Sequence, residues 1–323
     1  MSPDGEGRTV VHGSLVPLVT PFSRGQVDEP RFLELIEWQI SSGSHGLVIT
    51  GTTGEPSSLS LEEREQLFLT AVRAVRRRAP VIAATGTNNH ADTLRLTRTA
   101  RELGADAALI VVPFYVRPSQ EGLYRYFRSL ADAVDLPIII YNIPGRTAVN
   151  LEAPTIARLA RDCRNIIGVK EANKDFEHIN RVLHLCGRGF LVYSGIEMLC
   201  FPMLAIGGAG HVSATANVLP KEVAQLYDLA ASGRWEAARE LHYHLLPMNE
   251  ALFVETNPVP VKAALGLMGK IDPEVRLPLV PMSADNVERL RQVMAGYGLL
   301  AAPAQVEQAG HARAAGASGP AGP

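Results

Sequence analysis

The sequence predicts a closed parallel (β/α)8 TIM barrel with a C-terminal helical appendage, and three observations carry that prediction. Eight short apolar runs recur along the chain, most followed by a stretch of 3.6-residue periodicity, which is the alternation of strand and crossover helix. The runs are apolar throughout instead of alternating, as strands covered on both faces are. The first run leads into Thr20-Pro21-Phe22, where an open doubly wound sheet would usually carry a Gly-x-Gly-x-x-Gly turn. Right-handed crossovers then place every helix outside and every strand inside, and the sheet closes on itself.

The units follow in order. Residues 1–13 are an N-terminal extension, and the barrel spans 14–220. Its strands are expected at 14–19, 47–50, 81–84, 107–112, 136–141, 166–170, 190–193 and 209–213. The helices between them are expected at 29–41, 61–78, 91–103, 120–133, 154–161, 176–185 and 197–206. Arg76-Arg77-Arg78 closes the second helix, where cations complement the dipole. Gly207-Gly208-Ala209-Gly210 suits tight packing where the last strand closes the barrel. A helical region, 221–300, continues without strands, with helices at 221–231, 235–253, 260–267 and 284–297. Residues 301–323 are rich in Ala, Gly and Pro with almost no large apolar side chains, so a disordered tail is expected.

Composition narrows the function. No segment approaches the ~18 apolar residues of a membrane span, and 31 Lys plus Arg against 33 Asp plus Glu leave a net charge of −2, too weak a field to draw nucleic acid. Cys163, Cys186 and Cys200 are odd in number and far apart, which indicates neither a disulfide framework nor a thiolate metal cage. His242 and His244 lie two apart on a helix and face different ways, so no metal site is expected. Residues 1–13 lack a basic start followed by an apolar stretch, and a cytoplasmic location fits.

The active site of such a barrel lies at the C-terminal ends of its strands. Four polar strand ends share that mouth: Thr50-Gly51-Thr52-Thr53-Gly54-Glu55, Pro113-Phe114-Tyr115, Tyr141-Asn142 and Lys170-Glu171. Lys170 ends an apolar strand, where low dielectric favours the neutral amine that attacks carbonyls. A lone strand-end lysine would simply snorkel to water. Here two tyrosines and two threonine hydroxyls converge on the same mouth and can move the protons that Schiff-base chemistry requires. The turn Gly51-Thr52-Thr53-Gly54 offers backbone N–H groups and hydroxyls to a carboxylate, and Arg146 offers a fork to a second one.

These motifs together resemble the dihydrodipicolinate synthase and N-acetylneuraminate lyase family of pyruvate-dependent class I aldolases. The resemblance is carried by Gly51-Thr52-Thr53-Gly54-Glu55, Pro113-Phe114-Tyr115, Arg117-Pro118-Ser119-Gln120-Glu121-Gly122, Tyr141-Asn142-Ile143-Pro144-Gly145-Arg146-Thr147, Gly168-Val169-Lys170-Glu171-Ala172 and Asn257-Pro258-Val259-Pro260-Val261-Lys262. It implies that Lys170 forms an imine with pyruvate, with no other cofactor, and that Tyr141 is the acid/base. It implies a relay in which Thr53 links Tyr141 to Tyr115, the latter donated across a subunit interface in a homodimer or homotetramer. Thr52 and Thr53 would hold the pyruvate carboxylate, Val212 would line the pocket through its backbone, and Arg146 would take the carboxylate of the incoming aldehyde.

Two departures bear on the substrate. Many members carry Gly-Asp-Asp where this chain has Gly195-Ile196-Glu197, so Glu197 would bear the only negative charge near the aldehyde's far end. The Pro144-Gly145-Arg146-Thr147 pattern implies aspartate semialdehyde, and a 2,4-dihydroxyhept-2-ene-1,7-dioate-type aldolase is the alternative. Phe114, Pro56, Leu61 and Arg64 differ from the set that binds feedback lysine in some members. A phosphosugar barrel would leave Lys170 and the tyrosines without a role, and a non-catalytic ketoacid-binding barrel would not need the whole relay.

Overall fold

The computed structural model describes residues 11–300. Its strands are β1 (Gly13–Pro17), β2 (Phe22–Ser23), β3 (Gln26–Val27), β4 (Gly46–Ile49), β5 (Val81–Ala84), β6 (Ala107–Val111), β7 (Ile138–Asn142), β8 (Ile166–Glu171), β9 (Leu191–Ser194) and β10 (Gly210–Val212). Eight of them close a parallel barrel in sequence order, with β10 returning to β1, while β2 and β3 form a separate antiparallel ribbon. At the closure a Cβ on Gly210 would stand 2.1 Å from the Gly13 carbonyl oxygen, so only glycine lets the last strand approach the first.

The first six helices are α1 (Glu29–Ser41), α2 (Leu61–Val75), α3 (His90–Leu103), α4 (Gln120–Ala133), α5 (Pro144–Thr147) and α6 (Ala153–Asp162). They are followed by α7 (Phe176–Cys186), α8 (Cys200–Ala205), α9 (Pro220–Ala231), α10 (Trp235–Ala251), α11 (Val259–Leu267) and α12 (Ala284–Gly296). Among the described residues no helix is long and apolar enough to cross a membrane. The outer core, between strands and helices, includes Phe32, Phe68, Phe127, Ile140 and Val169. The barrel interior is a second cluster with Leu15, Val48, Ile82, Leu109, Ile139, Tyr141, Tyr193 and Val212.

Several elements differ from the sequence reading. The second helix stops at Val75 because Arg76 turns left-handed, and Arg78 folds back to donate to the Val75 and Ala74 carbonyls. The stretch 197–206 is a 3-10 turn (Glu197–Leu199) followed by α8, since Pro202 lacks an N–H and fits only the first turn of a helix. The ribbon β2–β3 and the single turn α5 carry too few residues to show a period. Residues 1–10 and the tail expected at 301–323 lie outside the described residues.

One irregularity decides which side chains enter the barrel. Ile138 pairs with Ile166 but Ile139 pairs with Gly168, so β8 has an extra residue at Ile167. Side chains alternate along a strand, and an inserted residue reverses the phase beyond it. Val169 therefore joins the outer core, and Lys170 pairs with the inward-facing Tyr141.

Candidate active site

Lys170 and Tyr141 occupy the floor of the mouth as neighbours on β8 and β7. They are 5% and 6% exposed, and the ammonium nitrogen of Lys170 lies 4.0 Å from the centroid of the Tyr141 ring. Among the described residues neither the Lys170 Nζ nor the Tyr141 hydroxyl has a hydrogen-bond partner within the protein. Gly195 passes directly over the lysine, where an added Cβ would stand 2.8 Å from Lys170 Cε. Any larger residue at 195 would displace the amine.

One residue further along both strands the side chains turn outward. Asn142 Nδ2 donates to both oxygens of Glu171 at 3.1 Å and to Asn150 Oδ1 at 2.8 Å, and Asn142 Oδ1 accepts from the Leu151 N–H at 3.0 Å. His178 of α7 meets Glu171 Oε1 at 3.1 Å. Burial pushes the Glu171 carboxyl above the usual range, with His178 and Asn142 acting in the opposite direction. This network clamps the ends of β7 and β8 from behind, next to Tyr141 and Lys170.

The turn after β4 begins at Thr50, a β-branched residue held at φ 53° while its hydroxyl donates to the Ala84 carbonyl at 3.0 Å. That bend brings Thr52–Gly54 round as a 3-10 turn at the mouth. As the opening residues of that turn, Thr52 and Thr53 have N–H groups with no partner inside it. Thr53 is buried, and its hydroxyl accepts from Asn257 Nδ2 at 3.0 Å. Among the described residues Asn257 Oδ1 is buried with no hydrogen-bond partner, a polar atom left free at the site. The sequence reading held Asn257 within a motif but gave it no role, because a contact across 204 residues leaves no local signal.

Above this floor lies a cavity of about 600 Å³ whose wall includes Thr52, Tyr141, Ile143, Arg146 and Asn257. Lys170, Thr53 and Val212 are buried and are not part of that wall. Arg146 is exposed on α5, with Nη2 donating to the Asn257 carbonyl at 3.4 Å, and it forms no ion pair among the described residues. Arg64 lines the same cavity yet is buried, its Nη2 donating to the Ala84 carbonyl at 2.6 Å, and burial lowers its pKa to about 10. Tyr115 is 89% exposed at φ 72°, and among the described residues its hydroxyl forms no hydrogen bond with Thr53 or Tyr141.

Glu197 is not part of the cavity wall. Its side chain is buried, Oε1 accepts from the Ala214 N–H at 2.8 Å, and burial pushes its carboxyl up, with the Ala214 N–H and the Lys170 charge acting in the opposite direction. Cys200 is buried beside it, its thiol pushed well up by burial and by the Glu197 charge. His242 stacks on Phe201 at 5.6 Å while His244 packs on Tyr297, so the two histidines do face apart.

Residues 10–296 match the sequence profile of the dihydrodipicolinate synthetase family. The chain belongs to that family. It is 48% identical over 288 residues to the 4-hydroxy-tetrahydrodipicolinate synthase of Thermodesulfovibrio yellowstonii, covering 89% of this chain and 99% of the relative. It is 50% identical over 289 residues to the synthase of the same name from Syntrophobacter fumaroxidans, with the same coverage of both chains. Among solved structures, the dihydrodipicolinate synthase of Thermotoga maritima superposes with a TM-score of 0.89 at 43% identity, covering 90% of this chain and 100% of the other. The enzyme from Acinetobacter baumannii, solved in complex with pyruvate, superposes with a TM-score of 0.88 at 40% identity and the same coverage.

Proposed function

We propose that this chain is a 4-hydroxy-tetrahydrodipicolinate synthase that condenses pyruvate with aspartate semialdehyde through an imine on Lys170. The observation that carries the reading is the buried Lys170 amine set against the Tyr141 ring beneath an open cavity. Its neutral form attacks the C2 carbonyl of pyruvate, and the carbinolamine loses water to give the imine. Loss of a methyl proton gives the enamine, whose carbon attacks the aldehyde carbonyl, and the new alkoxide takes a proton. The amine of the aspartate semialdehyde then attacks the imine carbon, closing the ring and expelling the Lys170 amine. Tyr141 is the group placed to pass these protons, with Thr53 behind it. Thr52 and Thr53 hold the pyruvate carboxylate, with the backbone of Val212 lining the floor, and Arg146 holds the carboxylate of the aldehyde.

Tyr115, exposed on its own chain, completes the relay in a neighbouring subunit, so the working form is a homodimer or homotetramer. Three cysteines with free thiols fit the reducing cytoplasm. Reduction with borohydride in the presence of pyruvate is expected to fix one pyruvate-derived adduct on Lys170, read by mass spectrometry of the peptide. An unmodified chain, or an adduct on another lysine, refutes the mechanism.

The alternative aldehyde lacks the amine, as in a 2,4-dihydroxyhept-2-ene-1,7-dioate-type aldolase. It is favoured by the inward burial of Glu197, which leaves no carboxylate of that residue to meet an amine. Comparing kcat/KM for aspartate semialdehyde and succinate semialdehyde separates the two.

A further inference from the structure

Glu55 has no part in the chemistry above, yet it ends the turn that carries Thr52 and Thr53. Its backbone is left-handed, at φ 56°, and although the residue borders the mouth cavity its side chain is buried. Glu55 Oε1 accepts from Lys262 Nζ at 2.7 Å, and the two side chains are 1% and 0% exposed. Glu55 Oε2 accepts from the Arg276 N–H at 3.2 Å, and Lys262 Nζ also lies 4.1 Å from the centroid of the Phe22 ring. The turn is held at two further points, by Thr20 Oγ1 donating to the Gly54 carbonyl at 2.8 Å and by the Asn257 bond to Thr53.

A sealed ion pair is a poor way to stabilise a fold, because the desolvation of both charges offsets their attraction and an apolar pair of equal volume does as well. What it supplies is direction. A carboxylate with a fixed donor on each oxygen fixes its own backbone, and Thr53 lies two residues away. Asn257 and Lys262 flank the start of α11, so one short segment grips both the Thr53 hydroxyl and the end of the turn.

We propose that the buried Glu55–Lys262 ion pair is a positioning device that locks the Thr52-Thr53 turn, through α11, in the geometry that receives the carboxylate of pyruvate. This inference rests on the reading that the turn binds pyruvate. Lys262→Met keeps most of the side-chain length and removes the charge, while Glu55→Gln keeps the shape and one carbonyl acceptor for Lys262. In Lys262→Met the KM for pyruvate and the pyruvate concentration giving half-maximal borohydride adduct on Lys170 are expected to rise together by about tenfold or more. The KM for aspartate semialdehyde and kcat at saturating pyruvate should hold within about threefold. Glu55→Gln should move the same two readouts in the same direction by less.

Circular dichroism checks that each variant is folded, and if Lys262→Met does not fold, Glu55→Gln decides by the same two readouts. Variants that trap pyruvate at wild-type concentrations overturn the inference, as does an equal rise in both KM values or a fall in kcat alone, since those describe a merely structural pair. Wild-type protein that yields no adduct overturns the pyruvate reading and this inference with it.

Discussion

Tyr141 and Lys170 are followed on their strands by Asn142 and Glu171, and the two pairs live in opposite conditions. The first pair faces the barrel interior with its polar atoms unclaimed by the protein, touching only through the ring and the ammonium. The second faces the helices and is saturated, with His178, Asn150 and Leu151 closing the network. The division of labour follows from strand alternation: one face offers unsatisfied groups to a substrate, and the other uses satisfied groups to hold the strand ends in register. Polar groups that cost stability when buried alone are tolerated in the interior because a ligand completes them.

The comparison breaks most completely at Lys170. Lys170→Arg keeps a cation on the floor but cannot form an imine, so turnover should fall to background and borohydride should trap nothing, while circular dichroism shows a folded chain. Residual activity near the wild-type rate would refute the assignment. The second test crosses the two faces. Tyr141→Phe removes a hydroxyl without a protein partner, so kcat should fall by about 10²-fold or more with unfolding free energy within about 0.5 kcal/mol of wild type. Glu171→Ala strands the donors of Asn142 and His178 and should cost about 3 kcal/mol or more in denaturant unfolding. If Tyr141→Phe were the less stable of the two, the division between the faces would fail.

Much of this was legible before the structure. The helices Glu29–Ser41 and Gln120–Ala133 and the strand Val81–Ala84 have the bounds that periodicity and punctuation indicate. Lys170 was found because a charge at the end of an apolar run is conspicuous. The bulge at Ile167 was not, because Ile166-Ile167-Gly168-Val169 is apolar at every position and shows no phase to reverse. Glu55 and Lys262 pair across 207 residues, a contact that only the closed barrel creates. Glu197 was read near the aldehyde's far end only through the family resemblance, and no local signal shows that the 3-10 turn it opens buries the carboxylate against the Ala214 N–H.

A smaller effect separates the two carboxylate sites of the mouth. Arg146 is exposed and borders the cavity, whereas the Thr52-Thr53 turn is held from within. Arg146→Ala should lower kcat/KM for carboxylated aldehydes by about 1.5–3 kcal/mol, the range of a hydrogen bond to a charged group. Acetaldehyde turnover and the KM for pyruvate should change little. A loss of equal size with acetaldehyde would place Arg146 outside aldehyde recognition.

The smallest effect concerns Glu197, which is buried like Glu171 but accepts its hydrogen bond from a backbone N–H. Burial raises its pKa in the folded chain above the ordinary value of 4.5, so over the window between the two values the native state binds more protons than the unfolded state. Stability from this group is therefore fully present below the unfolded value and is lost as the pH rises through the folded one. Glu197→Gln keeps an acceptor for the Ala214 N–H and removes the titration. Wild type should lose stability relative to the variant as the pH rises above about 4.5, at no more than about 1.4 kcal/mol per pH unit. Glu171 is raised for the same reason and contributes to both proteins, so the difference between their urea midpoints across pH isolates Glu197. A gap that stays constant with pH would mean that this carboxyl does not titrate there. The same variant should lose equal kcat/KM with aspartate and succinate semialdehydes, because a carboxylate turned inward cannot read an amine in the cavity. A selective loss with aspartate semialdehyde would mean that Glu197 swings to the rim when the site is filled.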